Sequence, residues 1–316
     1  MPSRPQVSLI VSVYNQGHWA ASTLSSAAAQ KIDVPFEIIV CDDGSSDGIL
    51  ETVRQLEADA ALDIRYIWQP DKRYRLSRSR NNGIRCAQGK ILVFVDGDTW
   101  LAPSFLEDHL SAHHTPGVLA CGLRSTIAIP SSQGTSSIRV SSEVLNKPQP
   151  EHVKQRQWLS SDRPWMACLG GNFSVPNLPE VLFDEEFESW GSEDRDLAFR
   201  LYQAGLQPHL LPRPNALHLQ MEGDHWSDMP HDKVVALLRN KIYLAEKYPN
   251  GEMEPSISLV KHCHLDAGRW SIGPIQDNIS VQEVFNTFKR WCEEGAPEAE
   301  TRPAPNLRAN HVRGTV

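Results

Sequence analysis

Apolar and polar positions alternate in two rhythms along the first part of the chain. Short unbroken apolar runs rich in β-branched residues, Val7–Val13, Phe36–Cys41, Ile64–Trp68, Ile91–Val95 and Val118–Cys121, read as strands buried on both faces. Between them, His18–Gln30, Gly48–Ala60, Ser77–Gln88 and Pro103–His114 carry helical spacing, and Pro103 suits a first helical turn, where its missing N–H costs nothing. Repeated strand–helix order predicts an α/β fold with a mostly parallel central sheet flanked by helices. Ligands in such sheets bind outside the carboxyl ends of the strands.

The pattern changes after residue 123. Pro130–Pro150 is rich in Ser, Gly and Pro and reads as a loop. A strand is expected near Leu169–Val175, a helix from Ser192 to Ala204 closed by Gly205, and short strands at His209–Leu211 and Ala216–Leu219. Asp232–Lys247 has helical spacing, and Ser280-Val-Gln-Glu283 is a capping box opening a helix to about Glu294. The expected organisation is 1–123, 124–250, an extension 251–294 with a helix, and a polar, Pro-rich, disordered tail 295–316.

At 316 residues, 40% hydrophobic and 22% charged, the chain is an ordinary globular one, not a disordered, collagenous or coiled-coil sequence. A net charge of −8 argues against a protein that lives on nucleic-acid phosphates. The six cysteines are scattered without a C-x-x-C pair and read as reduced thiols, hence a cytoplasmic protein. The N-terminus shows no leader pattern and no apolar run is long enough to span a bilayer, so any membrane association is expected to be peripheral, at the inner face.

Candidate chemistry clusters at strand ends. Asp96-Gly97-Asp98 follows the most apolar strand, and two carboxylates two residues apart in a partly desolvated cleft favour a divalent cation, or else form a simple turn. Asp42 and Asp43 end another strand, where a carboxylate can accept from a base or a ribose, while Ser45, Ser46 or Asp47 can cap the next helix. Arginines 73, 75, 78, 80 and 85 surround one helix; Arg78 and Arg80 cannot share a face, and inward guanidinium forks suit diphosphate or the aspartates. Glu193 and Asp194 fall in a first helical turn behind Ser192 as N-cap, and Trp190 before Gly191 is either core or a sugar-stacking surface. Taken alone, His218 reads as structural, as does His262-Cys263-His264, and His109, His113 and His114 read as a solvated helix end.

Together these segments resemble the family 2 inverting glycosyltransferases of the GT-A fold. The carriers are Val7-Ser-Leu-Ile-Val-Ser-Val-Tyr-Asn15, Val40-Cys-Asp-Asp-Gly-Ser-Ser-Asp47, Ser79-Arg-Asn-Asn-Gly-Ile84 and Val93-Phe-Val-Asp-Gly-Asp98. Gly170-Gly-Asn-Phe-Ser-Val175 and Trp190-Gly-Ser-Glu-Asp194 look like the galactosyltransferase-type C-terminal segment of bacterial chondroitin-polymerase-like and β-1,4-galactosyltransferase-like enzymes. The resemblance implies a nucleotide-sugar-binding GT-A half, then a smaller acceptor-side lobe carrying the catalytic carboxylates. It implies a UDP-sugar donor held by Tyr14, Asn15, Asp42, Asp43, Arg80 and Asp96, and a Mn²⁺ or Mg²⁺ on Asp96, Asp98 and His218. An imidazole ligand favours Mn²⁺. Asp194 is implied as general base, with Glu193, Trp190 and Gly191 on the acceptor side, and a hexose or N-acetylhexosamine passing to a hydroxyl of a glycan or other acceptor. Two other readings compete: a nucleotidyltransferase, which normally shows a glycine-rich basic signature where this chain has Tyr14-Asn-Gln-Gly17, and a non-catalytic nucleotide- or glycan-binding relative, which would have lost a key carboxylate.

Overall fold

Strands that are apolar at every position can only be stable where both faces are covered. In the computed structural model, which describes residues 4–60, 64–129, 142–188, 190–222 and 225–294, those runs form the centre of the sheet. The elements in chain order are β1 (Val7–Val13), α1 (Gly17–Ala28), β2 (Phe36–Asp42), α2 (Ile49–Ala60), β3 (Ile64–Trp68), α3 (Leu76–Cys86), β4 (Ile91–Asp96), β5 (Thr99–Leu101), α4 (Phe105–Ala112) and β6 (Val118–Ile129). There follow α5 (Ser142–Asn146), α6 (Pro150–Leu159), β7 (Asn172–Pro176), α7 (Glu193–Gln203), β8 (Gln207–Met221), α8 (His231–Lys247), α9 (Glu254–Ile257), β9 (Cys263–Asp266), β10 (Arg269–Ile272) and α10 (Val281–Glu293).

The chain divides into two compact units, one of residues 1–188 and 193–224, the other of residues 189–192 and 225–316. The first holds an eight-stranded sheet in the order β3-β2-β1-β4-β7-β6-β8-β5. Strands β3, β2, β1 and β4 run parallel, as do β6 and β8, while β7 and β5 pair antiparallel with their neighbours. Every residue of β1 is buried. On one face Val7, Leu9, Val11 and Val13 pack against Ala20, Leu24 and Ala27 of α1. On the other face α3 lies so close that a Cβ on Gly83 would stand 2.3 Å from Cys41 Sγ, which no real carbon atom tolerates. Register places Ser12 opposite Asp96 and Val13 opposite Asp42, so three strand ends deliver their polar residues at one level.

Several expected elements differ. The strand expected to end at Cys121 continues to Ile129, because it pairs with β8 over its whole length. The two short strands expected at 209–211 and 216–219 are one strand; the register slips opposite Cys121–Arg124, which lets Pro212 and Pro214 sit in the ladder without N–H donors. Of the loop expected at 130–150, residues 130–141 lie outside the described residues, and from 142 onward the chain is helical in α5 and α6. Pro150 opens α6 from its first turn, a position where proline is favoured rather than disruptive. His109 is not solvated but fully buried, bonded to Ser174 Oγ at 2.8 Å and Asn172 Oδ1 at 3.0 Å, and burial pushes its imidazole down to about 3. The expected disordered tail, 295–316, lies outside the described residues.

The second unit packs α8 and α10 around the β9–β10 hairpin. Its core is aromatic: Trp270 meets Phe288 at 5.7 Å and Trp291 at 6.3 Å between ring centroids. The capping box of α10 forms in full, Ser280 Oγ accepting from Glu283 N and Glu283 accepting from Ser280 N at 2.7 Å. His262 and His264 bond to the carbonyls of Gly273 and Pro274, which accounts for that histidine pair structurally.

Candidate active site

The first unit gathers its charged residues around one buried guanidinium. Arg80 projects from the face of α3 opposite to exposed Arg78 and is only 1% accessible. Its Nη2 donates to Asp96 Oδ1 at 2.8 Å, Nη1 to Glu193 Oε1 at 3.0 Å, and Nε to Ser12 Oγ at 3.1 Å. Burial alone would lower the guanidinium's pKa, but Asp96 and Glu193 outweigh it, so the charge is held firmly. The arginine thereby ties the ends of β1 and β4 to the start of α7. Of the remaining arginines, Arg73 is exposed and Arg85 reaches Glu185 at 3.4 Å.

Asp96 and Asp98 have different surroundings. Asp96 sits between Arg80 and Arg124, whose Nη1 lies 3.7 Å from Asp96 Oδ2. Asp98 turns the other way. Its Oδ2 accepts from Gln16 Nε2 at 3.1 Å and lies 3.4 Å from His218 Nε2, while its Oδ1 is buried without a hydrogen-bond partner. The short strand β5 makes this meeting, pairing Thr99 with His218 while Leu219 N donates to Asp98 O at 2.8 Å. Burial pushes the Asp98 carboxyl upward, but the hydrogen bond and charge of His218, with Arg124, prevail and leave it below the usual carboxylate range. Whereas Asp96 pairs with two arginines, the other expected metal ligands, Asp98 and His218, meet. That pair suits a divalent cation: it offers a carboxylate oxygen with nothing else to bind and an imidazole, leaving other positions for ligand oxygens.

Asp42, expected on the donor side, is bonded within the protein. It is wholly buried; Oδ1 accepts from Gly44 N, Ser45 N and Ser45 Oγ, and Oδ2 accepts from the Tyr66 hydroxyl. It builds the turn after β2 and ties it to β3 through Tyr66. Asp43 accepts from Gln69 Nε2 and Arg75 N, both at 2.5 Å, tying the loop before α3 to the end of β2, and burial raises its carboxyl against those two bonds. Asn15, at φ 49, accepts from Ser46 N at 2.9 Å, and Tyr14 donates its hydroxyl to Asp71 at 3.2 Å. Asp47, expected to cap the helix that follows it, instead accepts from Gly17 N at 2.6 Å and so caps α1 from a neighbouring loop.

Gly170 and Gly171 join the two carboxylate groups. Gly170 N donates to Asp194 Oδ2 at 2.7 Å, and Gly171, at φ +78, stands where a Cβ would come within 2.2 Å of Asp96 Oδ2. Only glycine satisfies both the left-handed backbone and that approach. Glu193 is 6% accessible and its Oε2 is without a hydrogen-bond partner; burial, then the charge of Asp194, push it up to about 7 although Arg80 opposes. Asp194 is the more accessible of the two. Tyr74 was not foreseen. Its hydroxyl lies in the field of Glu193, Arg80, Asp96 and Asp43, and burial with those carboxylates raises it well above the ordinary phenol value. Gln16 and Arg124 also went unforeseen, since neither belongs to a local motif.

Trp190 and Gly191 belong to the second unit, within which Asn240 Nδ2 donates to Gly191 O at 2.7 Å. Ser192, expected as N-cap, stands at φ +87 with its hydroxyl accepting from Lys241 Nζ at 2.9 Å.

Residues 8–173, just over half of the chain, match the family model described as glycosyl transferase family 2. Validoxylamine A glucosyltransferase of Streptomyces hygroscopicus subsp. jinggangensis is 26% identical over 276 residues, 78% of this chain and 62% of that protein. Chondroitin synthase of Escherichia coli is 28% identical over 343 residues, 97% of this chain and 49% of that protein. The chain thus spans about half to three-fifths of the length of these relatives. A solved structure of GalNAc-T7 with UDP, GalNAc and Mn²⁺ superposes with a TM-score of 0.57 at 16% identity, covering 93% of this chain and 57% of that one, which is a likeness of fold. The expected GT-A fold is the one found. No helix among the described residues is long and apolar enough to cross a membrane.

Proposed function

The chain belongs to glycosyl transferase family 2, and from that premise we propose that it is an inverting, divalent-metal-dependent transferase. It moves a hexose or N-acetylhexosamine from a UDP-sugar to a hydroxyl of a glycan or other acceptor, in the cytoplasm. One observation carries this reading: Gly170 and Gly171 place Asp194 and Asp96 on either side of a single glycine pair, so a candidate base stands beside the candidate donor cradle.

In this reading Tyr14, Asn15 and Asp43 line the nucleoside side, and Asp96 faces the ribose from its arginine clasp. Asp98 and His218 hold a divalent cation, Mn²⁺ being favoured by the imidazole. The cation supplies positive charge against the departing diphosphate. Asp194, accessible and oriented by Gly170 N, accepts the proton of the acceptor hydroxyl as that oxygen attacks the anomeric carbon. Glu193 is held by Arg80 and orients the acceptor side. A nucleotidyltransferase would release pyrophosphate, whereas this reaction releases UDP. The test is a panel of UDP-sugars with UDP detection, with Mn²⁺ and with a chelator, on the wild type and Asp194→Asn. The substitution keeps the volume and removes the proton-accepting charge. We expect kcat to fall by about 10²–10⁴-fold, with UDP-sugar affinity little changed. Near wild-type transfer would move the base elsewhere, with Glu193 next in line.

A further inference from the structure

Helix α7, in the first unit, carries an arginine where its own dipole disfavours one. The first turn holds Glu193, Asp194 and Asp196, carboxylates that suit the positive end of a helix, and Arg195 among them is a cation at that same end. Its half-buried side chain leaves the helix for the segment that precedes β7. There Nη1 donates to Met166 O and to Cys168 O, the second at 2.7 Å. Gln155 Nε2 donates to the carbonyl between them, Ala167 O, at 2.9 Å. Three successive carbonyls at the end of a 3-10 turn, Pro164–Ala167, are thus met by side chains where no further helix meets them.

Two residues later the same segment reaches the candidate base. Gly170 N donates to Asp194 Oδ2 at 2.7 Å, and Arg195 N donates to Asp194 Oδ1 at 2.8 Å, so both carboxylate oxygens are oriented. Neighbouring residues of α7 therefore hold the two ends of one short stretch. Arg195 holds the carbonyls before the glycine, and Asp194 takes the glycine's N–H. Gly170 has no side chain of its own to fix that N–H, and a Cβ there would stand only 3.0 Å from Asp194 Oδ2. The apolar side of the turn has a separate anchor: Trp165 packs on Phe199 at 4.8 Å and on Tyr202 at 5.1 Å between ring centroids. That packing seats the turn on α7, and the guanidinium fixes the course of the chain that leaves it.

We propose that Arg195 is a positioning residue for the candidate general base, acting through Met166, Cys168 and Gly170. A carboxylate that takes a proton from a hydroxyl must present a lone pair at hydrogen-bond distance. An N–H donated to it favours its charged form, the form that accepts. Without Arg195 the peptide bearing Gly170 N is no longer aimed, and Asp194 loses both its orientation and one bond that keeps it ionised. Glu193 of α7, Arg80 of α3 and the buried Cys168 thiol also act on the charge of Asp194, and a substitution at Arg195 leaves all three.

This proposal rests on the reading of Asp194 as base, and a double-mutant cycle separates the two. Arg195→Met keeps the apolar stem and removes the donors, whereas Arg195→Lys keeps a cation with a single donor nitrogen. Both, with Asp194→Asn and the double variant Arg195→Met/Asp194→Asn, are compared with the wild type by UDP release from UDP-sugars with Mn²⁺, across pH. Hydrogen exchange of residues 166–171 reads the segment itself without activity, and the thermal midpoint checks folding. We expect Arg195→Met to lower kcat roughly tenfold or more with donor KM within about twofold, to move the acid limb of the kcat profile to higher pH, and to speed exchange at 166–171. Arg195→Lys should recover part of each, and it carries the comparison should Arg195→Met not fold. In the Asp194→Asn background the effect of Arg195→Met on kcat should vanish. Near wild-type transfer by Asp194→Asn overturns the base reading. Equal losses of kcat in both backgrounds, an unmoved pH profile, or unchanged exchange at 166–171 overturns the positioning role alone.

Discussion

Two acidic turns stand at the carboxyl ends of neighbouring parallel strands, Asp42-Asp43-Gly44 after β2 and Asp96-Gly97-Asp98 after β4, and they look interchangeable in sequence. Their lone pairs go to different places. Asp42 spends both oxygens on its own turn and on Tyr66. Asp98 keeps one buried oxygen with no partner. A buried carboxylate oxygen left unpaired is costly, and a bound cation is one way to relieve that cost. The first turn is bonded into the fold and the second keeps an oxygen for the cation of the proposed reaction, a distinction that rests on hydrogen-bond partners and not on residue type.

Three substitutions test that contrast. Asp98→Ala has the largest effect on function: Mn²⁺-dependent sugar transfer should fall by at least ~10²-fold, about 3 kcal/mol of barrier, while stability moves by no more than ~1 kcal/mol. UDP-release rates with and without Mn²⁺ and urea unfolding give both numbers, and an unchanged Mn²⁺ response would remove the metal assignment. Asp42→Ala should do the reverse. Releasing Gly44 N, Ser45 N and the Tyr66 hydroxyl costs about 2–4 kcal/mol in urea unfolding, while the folded fraction binds UDP within about threefold of the wild type. Loss of UDP binding at full stability would collapse the contrast. The smallest effect belongs to Asp47→Ala, which frees Gly17 N at the start of α1 and should cost about 1 kcal/mol, the worth of a helix cap.

The fold was legible where burial alone dictates pattern. Strands β1, β2 and β4 are covered on both faces and therefore written as unbroken apolar runs. Outer elements were harder. β6 past Cys121 alternates buried and accessible positions, and β8 carries three prolines that argue locally against a strand and are absorbed by a register shift. α6 is mostly polar, burying only His152 and Gln155, so it lacks a readable apolar stripe. The site divides the same way. Asp98, Arg80 and Asp194 sit in recognisable segments, but Arg124 and Gln16 enter by long-range pairing, and the hold of two arginines on Asp96 depends on how α3 and β6 meet β4.

The close seating of α3 on β2 also makes Cys41 a clock. Its thiol is fully enclosed, and burial pushes its pKa up to about 12, so the reactive thiolate is nearly absent at neutral pH. A reagent reaches that sulfur only when the helix bearing Gly83 and Arg80 lifts from the sheet. The labelling rate of Cys41 therefore measures how often the arginine hub comes apart, and any ligand that binds around Arg80 should slow it.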